Sequence, residues 1–358
     1  MRLLVYGGCH ALIIKRLIDE LGPQGRHEVD LLINFQVVAS GKPFPYERLR
    51  DYDAVIYSPI QNKGDYNTVF LDAACAEAGV STIRFPWLEW HGHAPGADKG
   101  RFWGHHGWYF PDLIDLSRQF WDLDAFSRHA RAEFPSEDGI RQVFAYSTRK
   151  LIAQEEHFDC EVRVSDFILD GFRDRRMFLI PDHPTLLLYR HVVEAIERLV
   201  GTRLVASWPT DLPELQPEER TPILPRVAAE TGLTFSDGSW RSETQPLAAM
   251  DLDAFLALHF HAGRRANQLA DETAAPVLAT ATRSTWAGSV RRGPDVPGPA
   301  FVPIFTQVMM HRQPPAEGGT HFIGEVLTML TEHPALEAAQ RCLNGRYQFR
   351  NDDWVFRS

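Results

Sequence analysis

Residues 3–16 constrain the fold of this chain more than any other stretch. A short apolar run is interrupted by Gly7 and Gly8, and apolar residues at helical spacing resume directly after Cys9. This pattern predicts a strand, a tight turn and a helix, with the cysteine on the turn.

Cys9 has the surroundings expected of a nucleophile at a helix N-terminus. The N–H groups there carry partial positive charge, which favours a thiolate or a ligand phosphate. We therefore predict a lowered pKa for the thiol. Gly7 and Gly8 let a substrate approach the backbone closely, as in a nucleophile elbow, although the G-x-S-x-G pattern is absent. A small buried cysteine that ends a strand is the alternative interpretation.

Composition sets the broad class of the protein. The 358 residues, 44% of them hydrophobic, suffice for one large or two ordinary domains. Four cysteines without a C-x-x-C pair argue against a disulfide framework or a zinc knuckle. The net charge of −10 gives no general attraction for nucleic acid or anionic membranes. No secretory signal and no apolar run of membrane-spanning length is visible, so we expect a cytoplasmic protein.

Strand and helix patterns alternate after the first helix. The predicted elements are strands at residues 27–38, 53–60 and 81–85 and a helix at residues 68–79. This alternation predicts an α/β fold with a mainly parallel sheet and flanking helices, whose ligand crevice lies at the carboxyl ends of the strands. Cys9, Ser58 and Gln61 lie at such ends and are candidate site residues.

The segment after the fourth strand is rich in histidine and aromatic residues, which is typical of a substrate-binding loop. His91 and His93 are candidate substrate contacts. Their spacing, repeated at His259 and His261, is also compatible with a metal site. No acidic or cysteine ligand stands at a recognisable motif spacing, so we predict no metal.

The middle of the chain is predicted to be helical. Apolar residues at helical spacing indicate helices at residues 112–133 and 137–156. A short capped helix follows Cys160 and ends in a basic segment at residues 173–176. This segment either complements the helix dipole or holds a phosphate.

His183 is the second candidate catalytic residue. A short apolar strand ends at Asp182 and His183, Pro184 blocks its continuation, and a helix is predicted at residues 185–199. A histidine fixed at a strand-to-helix junction is well placed as a general base. Residues 1–200 are therefore predicted to form an α/β core that contains the Cys/His site.

Residues 201–358 are predicted to be a mainly helical region packed on the core. Residues 201–225 are rich in proline and acidic residues and form the predicted boundary. The further predicted elements are an amphipathic helix at residues 251–270, a loop at 293–299, a strand at 302–310, a helix at 322–330 and a docked aromatic segment at 347–356. We expect this region to cover the crevice or to support a homo-oligomer.

Four sequence blocks resemble a known family when taken together and in order. They are residues 5–10, 56–60, 85–95 and 164–185. These blocks look like the WcbI-type family of polysaccharide biosynthesis proteins. The last block, which contains Asp182-His183-Pro184-Thr185, is the most specific because it is long and chemically mixed. The resemblance covers residues 3–200 and continues more weakly to residue 233.

The resemblance implies a bacterial capsule or cell-surface polysaccharide enzyme with a hydrolase-like α/β core. It implies binding of coenzyme A or acetyl-coenzyme A and transfer of an acetyl group to a sugar. The family's elbow usually reads Gly-Asn-Cys-Gln, so Gly8 and His10 stand where the family has amide side chains. Cys9 and His183 match the family's pattern. The resemblance therefore supports catalytic roles for these two residues more strongly than for their neighbours.

The expected chemistry is acyl transfer at the carboxyl edge of the sheet. Cys9 attacks or lines the acyl carbonyl, His183 accepts the proton, and Asp182 or another carboxylate orients the imidazole. N–H groups around Gly8 and His10 receive the oxyanion, although His10 also competes with His183 as the base. The expected contacts for the cofactor, mainly for its phosphates, are Gly7, Gly8, Lys15, Arg16, Lys63, Arg173 and Arg176.

Three classes of function stay open on these residues. An acyltransferase uses coenzyme A and a sugar acceptor, either through an acylated Cys9 or by direct transfer with His183 as base. An esterase or thiol hydrolase uses water as the acceptor at the same residues. A binding protein for coenzyme A or a glycan would show an unreactive Cys9 and an ordinary imidazole at His183. We favour the acyltransferase.

Overall fold

The computed structural model describes residues 1–61, 64–102, 105–242, 249–272, 347–350 and 353–356. The elements predicted at residues 293–299, 302–310 and 322–330, and the candidate Lys63, lie outside these ranges. Within these ranges, no helix combines the length and the apolar character needed to cross a membrane.

A four-stranded parallel sheet organises the N-terminal part of the chain. Its strands are β1 (Arg2–Gly7), β2 (Glu28–Ile33), β3 (Ala54–Tyr57) and β4 (Ser81–Arg84). They lie in the order β2-β1-β3-β4, and every neighbouring pair is parallel. Parallel strands share one carboxyl edge, and the predicted α/β fold with a parallel sheet is confirmed.

Helices separate and follow these strands along the chain. They are α1 (Cys9–Leu21), α2 (Asn34–Ala39), α3 (Thr68–Ala78), α4 (Pro111–Ser117), α5 (Leu123–Glu133), α6 (Glu137–His157), α7 (Ser165–Gly171), α8 (Leu186–Val200), α9 (Pro225–Thr231) and α10 (Leu252–Glu272). Short 3-10 helices cover Tyr46–Asp51 and Gly64–Tyr66. The remaining strands are β5 (Asp98–Phe102), β6 (His105–Tyr109), β7 (Phe178–Ile180), β8 (His183–Pro184), β9 (Tyr347–Arg350) and β10 (Asp353–Phe356). They pair antiparallel as β5-β6, β7-β8 and β9-β10.

Two predicted elements have different limits in the structure. The strand expected at residues 27–38 ends at Ile33 and continues as α2, because its partner β1 ends at Gly7, which is paired with Ile33. The helix expected at residues 112–133 is divided into α4 and α5, and Asp122 is the N-cap of α5. The other helices predicted in the described ranges are present within a few residues of their expected limits.

Alternation along β1 distributes apolar side chains to both faces of the sheet. Leu3 and Val5 share a core with apolar residues of α1 and α8. Leu4 and Tyr6 are buried on the opposite face, in a core that also contains residues of α3. Burial on both faces accounts for the continuous apolar run in β1 and places its carboxyl end, Gly7, directly before the site.

A second core joins the middle of the chain to α9 and α10. Phe126 of α5, Val227 of α9 and Phe255 of α10 are buried together in it. Residues beyond the predicted boundary at residue 200 also enter the first core, where Leu204 is fully buried. The division at residue 200 stays a prediction, as does the docking of β9 and β10.

Candidate active site

Cys9 is the first residue of α1 and follows β1 after a single residue, Gly8. The Gly8 carbonyl accepts the first hydrogen bonds of the helix, from the N–H groups of Ala11 and Leu12. Gly7 suits this close approach of strand and helix, because a Cβ there would lie 3.1 Å from the Ala11 Cβ. The half-buried thiol therefore lies at the carboxyl edge of the sheet.

Burial raises the pKa of the Cys9 thiol to about 12, which corrects the lowered pKa expected at a helix N-terminus. The negative charge of Asp182 adds to this effect. The backbone N–H of His10 and the ammonium group of Lys99 act in the opposite direction and are outweighed. Because the helix terminus does not compensate for the loss of solvent, the thiol is protonated at neutral pH.

Alkylation of Cys9 should therefore be slow in the free protein. With a pKa of about 12, the thiolate fraction at pH 8 is roughly 10³-fold smaller than that of an ordinary cysteine. We expect iodoacetamide labelling of the Cys9 peptide, measured by mass spectrometry against the denatured protein, to accelerate steadily as the pH rises from 7 to 10. Rapid labelling that is already maximal near pH 6 would reveal a thiolate paired with an imidazolium and contradict this assignment.

His10 links the Cys9 turn to the segment that carries His183. Its imidazole is fully buried, and its Nε2–H donates to the Asp182 carbonyl over 2.9 Å. Burial lowers the pKa of His10 to about 4, so the ring is neutral at pH 7. Because this proton is bonded to a backbone carbonyl, the geometry favours His10 as a positioning residue over His10 as a base.

His183 faces a carboxylate that the sequence did not identify. Its Nδ1 lies 3.9 Å from Oε2 of Glu219, which is an ion-pair rather than a hydrogen-bond distance. Glu219 is buried beside the β7-β8 hairpin, because the Thr221 N–H donates to the Leu179 carbonyl of β7 over 2.9 Å. Glu219 is therefore the candidate orienting carboxylate for His183, while the charge of Asp182 acts on the Cys9 thiol.

No local sequence signal marks Glu219 or Lys99 as site residues. Glu219 lies in the acidic, proline-rich segment after α8, and Lys99 lies on β5. The Lys99 ammonium group is 3.8 Å from Oε2 of Glu219, the same oxygen that faces His183. Charged groups far apart in sequence can be matched in this way only when the tertiary structure is known.

His91 and His93 are buried and contact other parts of the protein. His91 Nε2 lies 3.4 Å from Glu89 Oε1, which also accepts a hydrogen bond from the Lys150 ammonium group over 2.7 Å. The His93 Nε2–H donates to the Phe172 carbonyl over 2.9 Å. Burial lowers the pKa of His91 and lowers that of His93 to about 4. These contacts stabilise the loop after β4 and argue against the expected role in substrate binding.

The described residues contain no group of three or more His, Cys, Asp or Glu side chains arranged to hold a metal ion. The imidazoles of His10, His91 and His93 each have one ring nitrogen committed to a protein oxygen. His259 also contacts protein atoms, since its Nε2 accepts a hydrogen bond from the Phe110 N–H. The histidine-rich character of the chain therefore reflects packing in these regions.

Ser58 and Gln61 lie on the segment that leaves β3. The Ser58 N–H donates to the Tyr6 carbonyl of β1 over 3.3 Å, and its buried side chain lies beside Gly7. Gln61 Nε2 lies 3.2 Å from Nε2 of His157, at the end of α6. Ser58 is therefore close to the turn after β1, whereas Gln61 contacts a different element.

The Arg176 side chain is only 9% exposed and is engaged with other parts of the protein, which argues against its expected role as a phosphate contact. Its guanidinium donates to the carboxylate of Asp237 and to the backbone carbonyls of Phe178, Leu179 and Thr221. Burial lowers the pKa of Arg176 to about 10, although Asp237 acts in the opposite direction. A guanidinium enclosed in this way connects the β7-β8 hairpin to the chain around Thr221 and Asp237 rather than to a ligand.

The other described cationic candidates lie at the surface. Lys15 and Arg16 each pair with a carboxylate one turn further along α1. Arg173 is exposed, and its guanidinium carbon lies 5.4 Å from the centroid of the Phe172 ring. These three residues stay candidates for the phosphate contacts.

Comparisons with known proteins agree with this architecture. Residues 2–204 match the model of the family described as polysaccharide biosynthesis enzyme WcbI. A similar solved structure is a WcbI polysaccharide biosynthesis enzyme, described as the native protein without a disulfide bond between coenzyme A and a cysteine. The two structures share a fold, with a TM-score of 0.59 and 17% sequence identity, and the match covers 74% of this chain and 90% of that one. No curated protein sequence matches the chain. Because the family model matches more than half of its residues, the chain belongs to the WcbI family of polysaccharide biosynthesis enzymes.

Proposed function

We propose that the chain transfers an acyl group, acetyl in the simplest case, from coenzyme A to a sugar hydroxyl in polysaccharide biosynthesis. The observation that carries this proposal is the 2.9 Å hydrogen bond from His10 to the Asp182 carbonyl, because it holds the Cys9 turn beside the segment of His183. A thiol and an imidazole that faces a buried carboxylate are thereby assembled next to the carboxyl edge of a parallel sheet, where ligands bind in such folds.

His183 is the general base in the proposed reaction. With Nδ1 directed at Glu219, Nε2 accepts the proton of the sugar hydroxyl as its oxygen attacks the thioester carbonyl. The new C–O bond forms, the C–S bond breaks, and the coenzyme A thiolate leaves with the proton that the imidazolium returns. The Glu219 carboxylate stabilises the imidazolium while it carries the proton.

The backbone at the start of α1 is the proposed oxyanion site. The N–H groups of Cys9 and His10 both lower the pKa of the thiol, so both favour negative charge at this position. They belong to the first turn of the helix, where N–H groups lack helical partners. The same groups would stabilise the oxyanion of the tetrahedral intermediate.

Direct transfer, without an acylated cysteine, is the favoured route. Burial and the charge of Asp182 keep the Cys9 thiol protonated, which disfavours its use as a nucleophile. Cys9 then lines the position of the thioester. The similar solved structure, a native WcbI protein without a disulfide bond between coenzyme A and a cysteine, supports a coenzyme A site near a cysteine, and we assign this position to Cys9.

The proposal includes a bacterial, cytoplasmic setting, in which acetyl-coenzyme A is available, and a capsule or other surface polysaccharide as the product. Lys15, Arg16 and Arg173 are the proposed partners of the coenzyme A phosphates, because their cationic groups lie at the surface. The family's link to polysaccharide biosynthesis supports the proposed product.

Thermal unfolding with and without ligand tests the proposed donor. A ligand that binds only the folded state raises the unfolding midpoint, and a concentration of 100 times Kd adds about 2.7 kcal/mol of stability. We expect coenzyme A and acetyl-coenzyme A to raise the midpoint of the native protein and of Cys9→Ala, because direct transfer needs no covalent bond to Cys9. Inorganic pyrophosphate is the control for unspecific anion binding.

Two outcomes would change this proposal. An unchanged unfolding midpoint at millimolar coenzyme A would overturn the transferase proposal and favour a hydrolase or a binding protein. Loss of all acyl transfer in Cys9→Ala, with coenzyme A binding retained, would replace the direct route by one through an acylated cysteine.

A further inference from the structure

Trp87 lies against both residues that flank Cys9 in the chain. Its ring centroid is 4.4 Å from that of His10, at an interplanar angle of 53°. Two carbon atoms of its six-membered ring lie 3.0 and 3.2 Å from the position that a Cβ on Gly8 would occupy. The indole therefore fills the space of a side chain at position 8, and only glycine accepts this approach without a shift of the ring.

Trp87 is partly exposed, in contrast to the aromatic residues near it in the sequence. Phe85 is 0% and Trp90 is 1% exposed, and both belong to the first core. Core packing therefore accounts for Phe85 and Trp90. The indole of Trp87 combines a position fixed by His10 and Gly8 with an accessible apolar surface.

Asn34 adds a polar group to this surface. It is the first residue of α2, directly after β2, and its side chain is half-buried. Its Oδ1 lies 3.8 Å from the same Cβ position on Gly8 that the Trp87 ring approaches. An aromatic ring and a side-chain amide thus both lie close to Gly8, next to the Cys9 turn.

This combination suits a pyranose ring. The C–H groups of a sugar pack against an aromatic ring while its hydroxyls form hydrogen bonds with polar groups such as an amide. Coenzyme A, the proposed acyl donor, suits the surface of Trp87 and Asn34 less well than a sugar does. Its pantetheine arm has no ring, and its adenine lies at the end of the molecule remote from the thiol. The acceptor ring must in addition lie beside the Cys9 turn, since its hydroxyl attacks the carbonyl there.

We infer that Trp87 and Asn34 form the binding site for the acceptor sugar, an inference that rests on the proposed transferase function. The sugar ring stacks on the exposed part of the indole, and the Asn34 amide binds a hydroxyl of the same ring. Gly8 contributes by its lack of a side chain, which leaves Trp87 in place. Trp87 and Asn34 are thus specificity-determining residues for the acceptor.

Saturation-transfer NMR with methyl β-D-glucopyranoside as the probe tests this inference. Trp87→Phe keeps an aromatic ring, whereas Trp87→Leu keeps apolar volume against His10 but has no aromatic surface. We expect the native protein and Trp87→Phe to saturate the ring C–H protons of the probe, and Trp87→Leu to reduce this signal by roughly 5-fold. Asn34→Ala should reduce the signal less, because it removes a hydrogen bond and leaves the indole.

The outcomes separate this inference from the transferase proposal. No signal with the native protein, or an equal signal with Trp87→Leu, overturns the sugar site. Weaker coenzyme A binding by Trp87→Leu with unchanged sugar binding also overturns it, because Trp87 then contacts the donor. If coenzyme A fails to bind the native protein while the sugar signal depends on Trp87, the transferase function is overturned and the sugar site remains.

Discussion

Replacing His183 by glutamine should lower kcat/KM for acyl transfer by about 10²–10⁴-fold, the usual contribution of a general base. Glutamine has a similar size and polarity but does not accept a proton at neutral pH. The loss should fall on kcat, because the substrates still bind. The measurement is the initial rate of thiol release from acetyl-coenzyme A with an acceptor glycan, together with the thermal shift caused by coenzyme A.

His191→Gln is the matched control for this substitution. His191 lies on α8, its ring stacks on Phe167 with centroids 4.1 Å apart, and its Nε2–H donates to the Arg163 carbonyl. Its replacement should leave the rate unchanged. A His183→Gln protein with the native kcat would remove His183 from the role of base.

Glu219→Gln tests the orienting carboxylate through the same assay. It should cost less activity than His183→Gln, because the base itself stays in place. The acidic limb of the pH–rate profile should also move to lower pH, since the imidazolium loses the negative charge 3.9 Å from its Nδ1. An unchanged profile would leave Glu219 with a purely structural role.

Replacing Arg176 by methionine should lower the free energy of unfolding by about 2–4 kcal/mol, because a mostly buried charged donor leaves several acceptors without a partner. The Asp237 carboxylate would keep Arg220, 3.5 Å away, but would lose its closer guanidinium partner, and the carbonyls of Phe178, Leu179 and Thr221 would lose a donor. Urea denaturation of the native and substituted proteins measures this difference.

Arg173→Met is the matched control for Arg176→Met. The Arg173 side chain is exposed, so its loss should change the free energy of unfolding by less than about 0.5 kcal/mol. If Arg173 binds a coenzyme A phosphate, its substitution should instead weaken coenzyme A binding. An Arg176→Met protein with native stability and impaired coenzyme A binding would restore the phosphate role that the sequence predicted.

Local sequence patterns determined the secondary structure and the two chain segments of the site. Apolar spacing around Gly7 and Gly8 predicted β1, the turn and α1, because short-range sterics and helical periodicity act within a few residues. The helix after Pro184 is likewise present as α8, but the strand expected to end at His183 ends at Ile180 and turns back, so that His183 and Pro184 pair with it as β8. The resemblance to the WcbI family is confirmed by the match over residues 2–204.

Tertiary structure alone decided which charges surround these residues. It placed Glu219 close to both His183 and Lys99, and it paired Arg176 with Asp237. Cys9 shows the physical reason most clearly. The helix N-terminus is a local feature and predicted a lowered pKa, but burial and the charge of a residue from a distant segment raise the pKa instead. Burial and contacts between distant charges arise only when the whole chain packs, so no local pattern encodes them.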